Sequence, residues 1–201
     1  MLLVGLTGNY GMGKSFVLSQ FKKLGAITIE SDKIVESLLS EREVIESIRN
    51  LLGNTVFDEK GNLDKKKIAN LIFKNDILKN SLENILHPLV FERIESFLFT
   101  IKKKDAIVVI EIPLLYEKGY EGRFDRTISV FSNAETALHR LEKNGISNED
   151  AKKRLQSQLP IEEKNKKCDF TIDNNGTFEE TITQVTKIYS KLLQEVGIGN
   201  N

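Results

Sequence analysis

The stretch Gly8-Asn9-Tyr10-Gly11-Met12-Gly13-Lys14-Ser15 decides how this chain folds. It fits G-x-x-x-x-G-K-[ST], the loop that wraps the phosphates of a nucleoside triphosphate. Glycines at 8, 11 and 13 let the backbone curl so that successive N–H groups point inward at phosphate oxygens. Lys14 reaches the outer phosphates as a point charge, and the Ser15 hydroxyl is placed to ligate Mg2+, an ion that prefers hard oxygen ligands. The candidate nucleotide-binding set is therefore Gly11, Met12, Gly13, Lys14, Ser15 and Phe16, with Ser15 as the metal ligand.

The flanks agree with the loop. Leu2-Leu3-Val4-Gly5-Leu6 is a short apolar strand, and Phe16, Val17, Leu18, Phe21 and Leu24 give an apolar helical face. Strand, loop and helix in that order aim a helix N-terminus at an anion. Gly25 reads as the C-cap of this helix, and Ala26-Ile27-Thr28-Ile29 as a second strand. That strand runs into Glu30-Ser31-Asp32, where open parallel sheets carry their ligands. Asp32 is thus either a reactive carboxylate or, with Ser31, a cap for the helix through Ile34, Val35, Leu38 and Leu39.

From Arg42 to Ile101 the texture is helical, with a turn over Phe57–Asp64 and a long helix from about Ile77 to Ile101 interrupted near His87-Pro88. This excursion is too long for an ordinary crossover and reads as an inserted lobe. Ala106–Ile112 is nearly continuous β-branched apolar sequence, as expected of a central parallel strand buried on both faces. Glu111 is its one carboxylate. A fourth strand, Thr127–Phe131, precedes a helix that Ser132 and Glu135 would open at capping-box spacing. Leu138–Asn165 is charged and helical, broken at Asn144-Gly145, and its lysines and arginines read as a solvated face or a mobile cationic lid. A fifth strand, Phe170–Asp173, leads through a turn to a last helix opened by Thr177 and Glu180, and Gly197–Asn201 is expected to fray.

Alternating elements around such a loop imply a doubly wound α/β fold with a parallel five-stranded sheet. The expected division is a nucleotide core over 1–40, 105–135 and 168–201, a helical insertion over 41–104 and a lid over 136–167. In the 201 residues, Lys and Arg total 29 and Asp and Glu total 29, so no global field draws the chain to nucleic acid or membrane. No apolar run approaches the about 20 residues of a membrane span. One cysteine, Cys168, excludes an internal disulfide framework and fits a reducing, cytoplasmic setting. Nothing in the sequence sets the oligomeric state.

The loop alone does not choose a reaction. A regulatory GTPase would need D-x-x-G after a strand and N-K-x-D for guanine. Asp58–Gly61 spells the first within the helical excursion, and Asn165–Asp169 is one residue too long for the second, so both read as decoys. A short chain with a basic lid and an acidic residue after the second strand suits a small-molecule kinase better than a mechanical ATPase. Further stretches carry a resemblance: Gly5-Leu6-Thr7-Gly8 before the loop, Ile29-Glu30-Ser31-Asp32, Leu86-His87-Pro88, Ile112-Pro113-Leu114-Leu115-Tyr116-Glu117, Arg154 with Gln158, and Asp169–Gly176. Together the sequence resembles, nearly end to end, the dephospho-coenzyme A kinase family, which phosphorylates the ribose 3′-hydroxyl of dephospho-coenzyme A with ATP.

The resemblance implies catalytic roles for Asp32 as the acceptor-side base, Lys14 on the phosphates and Arg140 in the lid. It implies an acceptor site lined by Asp32, His87, Pro113, Leu115 and Tyr116. Read from the residues alone, His87 is a packing residue at a helix break and Leu114-Leu115-Tyr116 is core. The chain also departs from the family pattern. Asn9, Tyr10 and Met12 replace smaller loop residues, Phe16 replaces a common threonine, and Glu30 and Glu111 stand where aspartate is usual. Phe91 replaces a common arginine, and Lys143 is the one cation where a second lid arginine is expected, without arginine's bidentate reach. Another nucleoside or nucleotide kinase, or an ATP-gated binding module, are the alternatives.

Overall fold

A computed structural model describes residues 1–73 and 75–197; the tail expected to fray lies outside the described residues from 198 onward. The chain forms two compact units, one made of residues 1–30 and 103–201, the other of residues 31–102.

The first unit is built on five parallel strands: β1 (Leu2–Thr7), β2 (Ile27–Glu30), β3 (Ile107–Glu111), β4 (Arg126–Phe131) and β5 (Phe170–Asp173), in the order β2-β3-β1-β4-β5. β3 is buried at every position, which is why its sequence shows no alternation. The order changes direction around β1. The chain leaves it toward β3 and β2 on one side and later fills β4 and β5 on the other, so the end of β1 is the topological switch point where such sheets bind ligands.

Helix α1 (Lys14–Lys23) and the last helix, α9 (Phe178–Glu195), pack on each other and on the sheet. Val17 and Phe21 of α1 meet Val4, Leu6, Val109, Val130 and Ile172 of the strands and Val185, Ile188 and Leu192 of α9. Leu24, expected on this apolar face, is exposed instead, because α1 ends one residue before it. Leu24 itself is the C-cap and Gly25 is the residue after it. Gly25 donates to Lys22 and Ala26 to Phe21, a reversal that needs the φ of +105° found at Gly25. α9 begins with the anticipated capping box of Thr177 and Glu180.

Between β4 and β5 run α6 (Ala134–Lys143), α7 (Asn148–Gln156) and α8 (Ile161–Lys167). The cap of α6 is Asn133, whose side chain accepts from the Thr136 amide, rather than the Ser132 and Glu135 pair. Ser132 is buried and bonded to the Asn133 carbonyl, which leaves it unable to cap.

The second unit comprises α2 (Ser31–Leu38), α3 (Arg42–Leu52), α4 (Lys65–Ile72) and α5 (Asp76–Thr100). α5 packs against the other three, burying Leu82, Leu86, Val90 and Ile94 at a four-residue spacing that keeps them on one face. Phe91, the departure from a common arginine, joins that buried face. α5 is not interrupted at His87-Pro88: it runs through as one helix. Pro88 cannot donate the amide bond that would normally reach back one turn, and burial on both sides of it keeps the helix together. The D-x-x-G decoy is a turn in which the Asp58 carboxylate accepts from the Lys60 and Asn62 amides. The Asn62 amide holds that carboxyl below its ordinary range. No helix among the described residues is long and apolar enough to cross a membrane.

Phe21 is fully buried and meets the Tyr189 ring edge-on at 6.4 Å, so it measures how far this core holds the phosphate loop's helix. Phe21→Ala is expected to lower unfolding free energy by about 3–5 kcal/mol in urea titration; a loss below about 1 kcal/mol would show that the sheet and α9 do not depend on this contact.

Candidate active site

The loop from Gly8 to Gly13 lies between β1 and α1 and uses three left-handed glycines, with φ of +147° at Gly8, +77° at Gly11 and +90° at Gly13. The need is steric as well as conformational. A Cβ on Gly13 would lie 2.0 Å from Nδ2 of Asn174, and one on Gly8 would lie 2.3 Å from the Val130 carbonyl oxygen. The loop is therefore pressed against the ends of β4 and β5.

Asn174, directly after β5 and only 3% exposed, is the residue that sequence reasoning missed as part of the site. Its Nδ2 donates to the Met12 carbonyl at 2.9 Å, and its Oδ1 accepts from Thr181 of α9 at 3.0 Å. Its own carbonyl accepts from Nη2 of Arg140 at 2.9 Å. The signal was present in the Ile-Asp-Asn stretch, but a side chain that braces another segment's backbone has no period to reveal it.

Lys14, the first residue of α1, is buried, with its ammonium 3.4 Å from the Asn9 carbonyl and 3.8 Å from Glu111 Oε1. Glu111 ends β3 in register with Leu6 of β1 on one side and Glu30 of β2 on the other. Ser15 is exposed at the start of α1, and the Phe16 ring pairs with Phe178 at 5.0 Å. Arg140, on α6, is brought beside the loop, its Nη1 3.5 Å from the position a Gly13 Cβ would take. That Nη1 is buried and has no hydrogen-bond partner.

The basic segment is not a uniformly solvated face. Gln158 accepts from the Tyr10 amide at 2.9 Å, Asn9 donates to the Leu159 carbonyl at 3.0 Å, and Arg154 donates to the Tyr10 hydroxyl while lying over its ring at 4.8 Å. The departures at Asn9 and Tyr10 are thus the loop's contacts with α7 and the segment that follows it. Lys164 is wholly buried. Burial pushes its ammonium below the ordinary lysine range, and Glu117 at 2.8 Å opposes that.

Of the acceptor candidates, Pro113 sits at the turn after β3, with its carbonyl accepting from Thr7 at 3.2 Å and from Lys164 at 3.1 Å. Leu115 is fully buried, and Tyr116 is buried with its hydroxyl donating to Thr127 at 3.0 Å. These two side chains belong to the interior of the first unit and shape the turn rather than present themselves at a surface. In the second unit, Asp32 is exposed in the first turn of α2, and His87 is half-buried in α5, one residue before Pro88. Among the described residues no cluster of three or more His, Cys, Asp or Glu is arranged to hold a metal by itself. A divalent ion here would need phosphate oxygens to complete its shell, as Mg2+ commonly does.

A glycine loop offering its amides beside a buried lysine, at the switch point of a parallel sheet, makes this a P-loop phosphotransferase of the small-molecule kinase type. The family described as dephospho-CoA kinase matches residues 2–180. The Aquifex aeolicus dephospho-CoA kinase is 38% identical over 196 residues, covering 97% of this chain and 100% of its own. A Thermus thermophilus crystal structure superposes with a TM-score of 0.83 at 30% identity, covering 94% of this chain and 95% of its own. The dephospho-CoA kinase of Campylobacter jejuni gives 0.69 at 28% identity, covering 96% and 98%. The chain belongs to the dephospho-CoA kinase family.

Two outcomes follow from the geometry. Gly13→Ala forces Asn174 off the Met12 carbonyl and strains the loop. It is expected to cost about 1–3 kcal/mol in thermal denaturation and to weaken ATP binding in calorimetry; unchanged stability and affinity would contradict the close approach. Burial pushes the Tyr116 phenol up to about 12, partly offset by its bond to Thr127. A raised folded value favours the neutral phenol, so its contribution is full below about pH 10, the free tyrosine value, and is lost as pH rises toward 12. Absorbance titration should show a tyrosinate forming near pH 12 that disappears in Tyr116→Phe.

Proposed function

We propose that the chain transfers the γ-phosphoryl group of ATP to the ribose 3′-hydroxyl of dephospho-coenzyme A, releasing coenzyme A and ADP. The observation that supports this most is the buried, unpartnered Nη1 of Arg140 beside the glycine loop. A guanidinium donor kept dry and unsatisfied is costly unless an anion completes it, and a phosphoryl group in transfer is such an anion. Phosphoryl transfer rests on positioning and charge neutralisation more than on covalent chemistry.

In this reading the loop amides and Lys14 hold the outer phosphates, with Glu111 orienting the lysine from 3.8 Å. Arg140, braced by the Asn174 carbonyl, stabilises charge on the migrating group. Ser15, with Glu111 through water, would hold Mg2+, which supplies charge neutralisation between the phosphates. Asp32, two residues beyond β2, orients or deprotonates the acceptor hydroxyl. His87 and the Pro113–Glu117 turn support the acceptor, the latter through the backbone fixed by Leu115 and Tyr116. Residues 31–102 act as the acceptor-binding insertion, and α6 to α8 as the lid that excludes water from the transfer. A cytoplasmic setting suits the single thiol and the substrates.

ATP consumption with dephospho-coenzyme A, with nucleoside monophosphates, or with no acceptor tests the assignment. Stimulation by dephospho-coenzyme A alone is expected. Stimulation by a monophosphate would mark another nucleotide kinase, and tight ATP binding without acceptor-dependent turnover would mark a binding module. Asp32→Asn tests the base role. Asp32 lies within the first turn of α2 and is not its cap, so losing its charge should cost at most about 1 kcal/mol of helix-dipole interaction and leave ATP affinity intact, whereas turnover should fall by about 10²-fold, the lower end for positioned proton transfer. Wild-type turnover in this variant would remove Asp32 from the chemistry.

A further inference from the structure

Among the described residues of the first unit, Lys164 is the largest charged side chain that is wholly buried, and neither the phosphate loop nor the acceptor assignment uses it. Its ammonium binds Glu117 Oε1 at 2.8 Å and the Pro113 carbonyl at 3.1 Å, so it grips both ends of the turn that follows β3. The same Glu117 oxygen accepts from the Leu159 amide at 2.9 Å, which carries the contact to the segment between α7 and α8. Both partners lead on to the phosphate loop. The Pro113 carbonyl also accepts from Thr7, the last residue before Gly8, and the Leu159 carbonyl accepts from Asn9. One buried cation thus stands where a turn, a lid segment and the loop are joined by direct hydrogen bonds.

We propose that Lys164 is a positioning residue for phosphoryl transfer: its buried ammonium ties the Pro113–Glu117 turn to the return segment of the lid and, through both, sets the phosphate loop against them. The proposal rests on the kinase reading above. A buried cation with a carboxylate partner is a poor source of net stability, since desolvation of both groups offsets their attraction. A directional, water-excluded tie between three segments that must act together is what such a pair supplies instead.

The test is Lys164→Met, which keeps the aliphatic stem and removes charge and donors, alongside the Lys164→Met/Glu117→Gln double variant, which removes both charges. Three quantities are read: thermal stability, the kcat and KM for dephospho-coenzyme A with the ratio of ATP hydrolysed to coenzyme A formed, and hydrogen exchange at the Tyr10 and Leu159 amides of the ligand-free protein. Lys164→Met leaves the partly buried Glu117 carboxylate without its cation and should lose stability. It should lower kcat by about 10–100-fold, as small misplacements do, with KM changed less than kcat, a raised hydrolysis ratio and faster exchange at both amides. The double variant should regain stability and keep the low kcat and the raised ratio. Recovery of kcat together with stability, or unchanged ratio and exchange in the single variant, would reduce Lys164 to a packing role and overturn the proposal. A wild-type protein without dephospho-coenzyme A-dependent turnover would instead overturn the kinase reading, while the exchange measurement would still report whether Lys164 restrains loop and lid.

Discussion

The close approach of Gly13 to Asn174 is the constraint on which the rest of the site depends. Any side chain at position 13 would have to displace Asn174, because a Cβ would lie 2.0 Å from its amide nitrogen. That nitrogen is in turn held at the Met12 carbonyl, and Thr181 of α9 holds the other end of the amide. The left-handed backbone of the loop is thereby fixed from outside, by β5 and α9, and not by its glycines alone. Glycines permit the turn but lose more conformational freedom on folding than any other residue. A loop meant to present amides to phosphate needs an external brace, and Asn174 supplies it while its carbonyl orients Arg140.

A second feature is how the first unit distributes its charges. Lys14 and Lys164 are both buried, and each lies near a carboxylate contributed by β3 or the turn after it, Glu111 and Glu117 respectively. Removing lysine from water is costly, and each pair lies where chain segments of different origin meet. Arg140 differs, with Nη2 bonded to the Asn174 carbonyl and Nη1 buried without a hydrogen-bond partner.

The fold was legible in the sequence because its signals are local. β3 declared itself by a nearly continuous apolar run, the loop by glycine spacing, and α9 by its capping box, each depending on residues within a few positions of one another. The errors fell where a local rule met a competing partner. Ser132 had capping spacing but was already buried and bonded, so Asn133 caps α6. Pro88 reads as a break, yet α5 continues because its apolar face is buried on both sides of that residue.

The candidate site divides along the same line. By itself the sequence determined the phosphate loop, the succession of strands and helices, the family likeness and the candidate carboxylates, since spacing and residue type carry that chemistry. Only the tertiary structure decided that Asn174 braces the loop, that Tyr10 accepts from Arg154 and donates to Gln158, that Leu115 and Tyr116 face inward, and that Lys164 is sealed in the interior rather than solvated. These facts join residues up to 162 positions apart. The sequence around a lysine states its charge, but whether that charge meets water or a carboxylate is set by segments that only folding brings together.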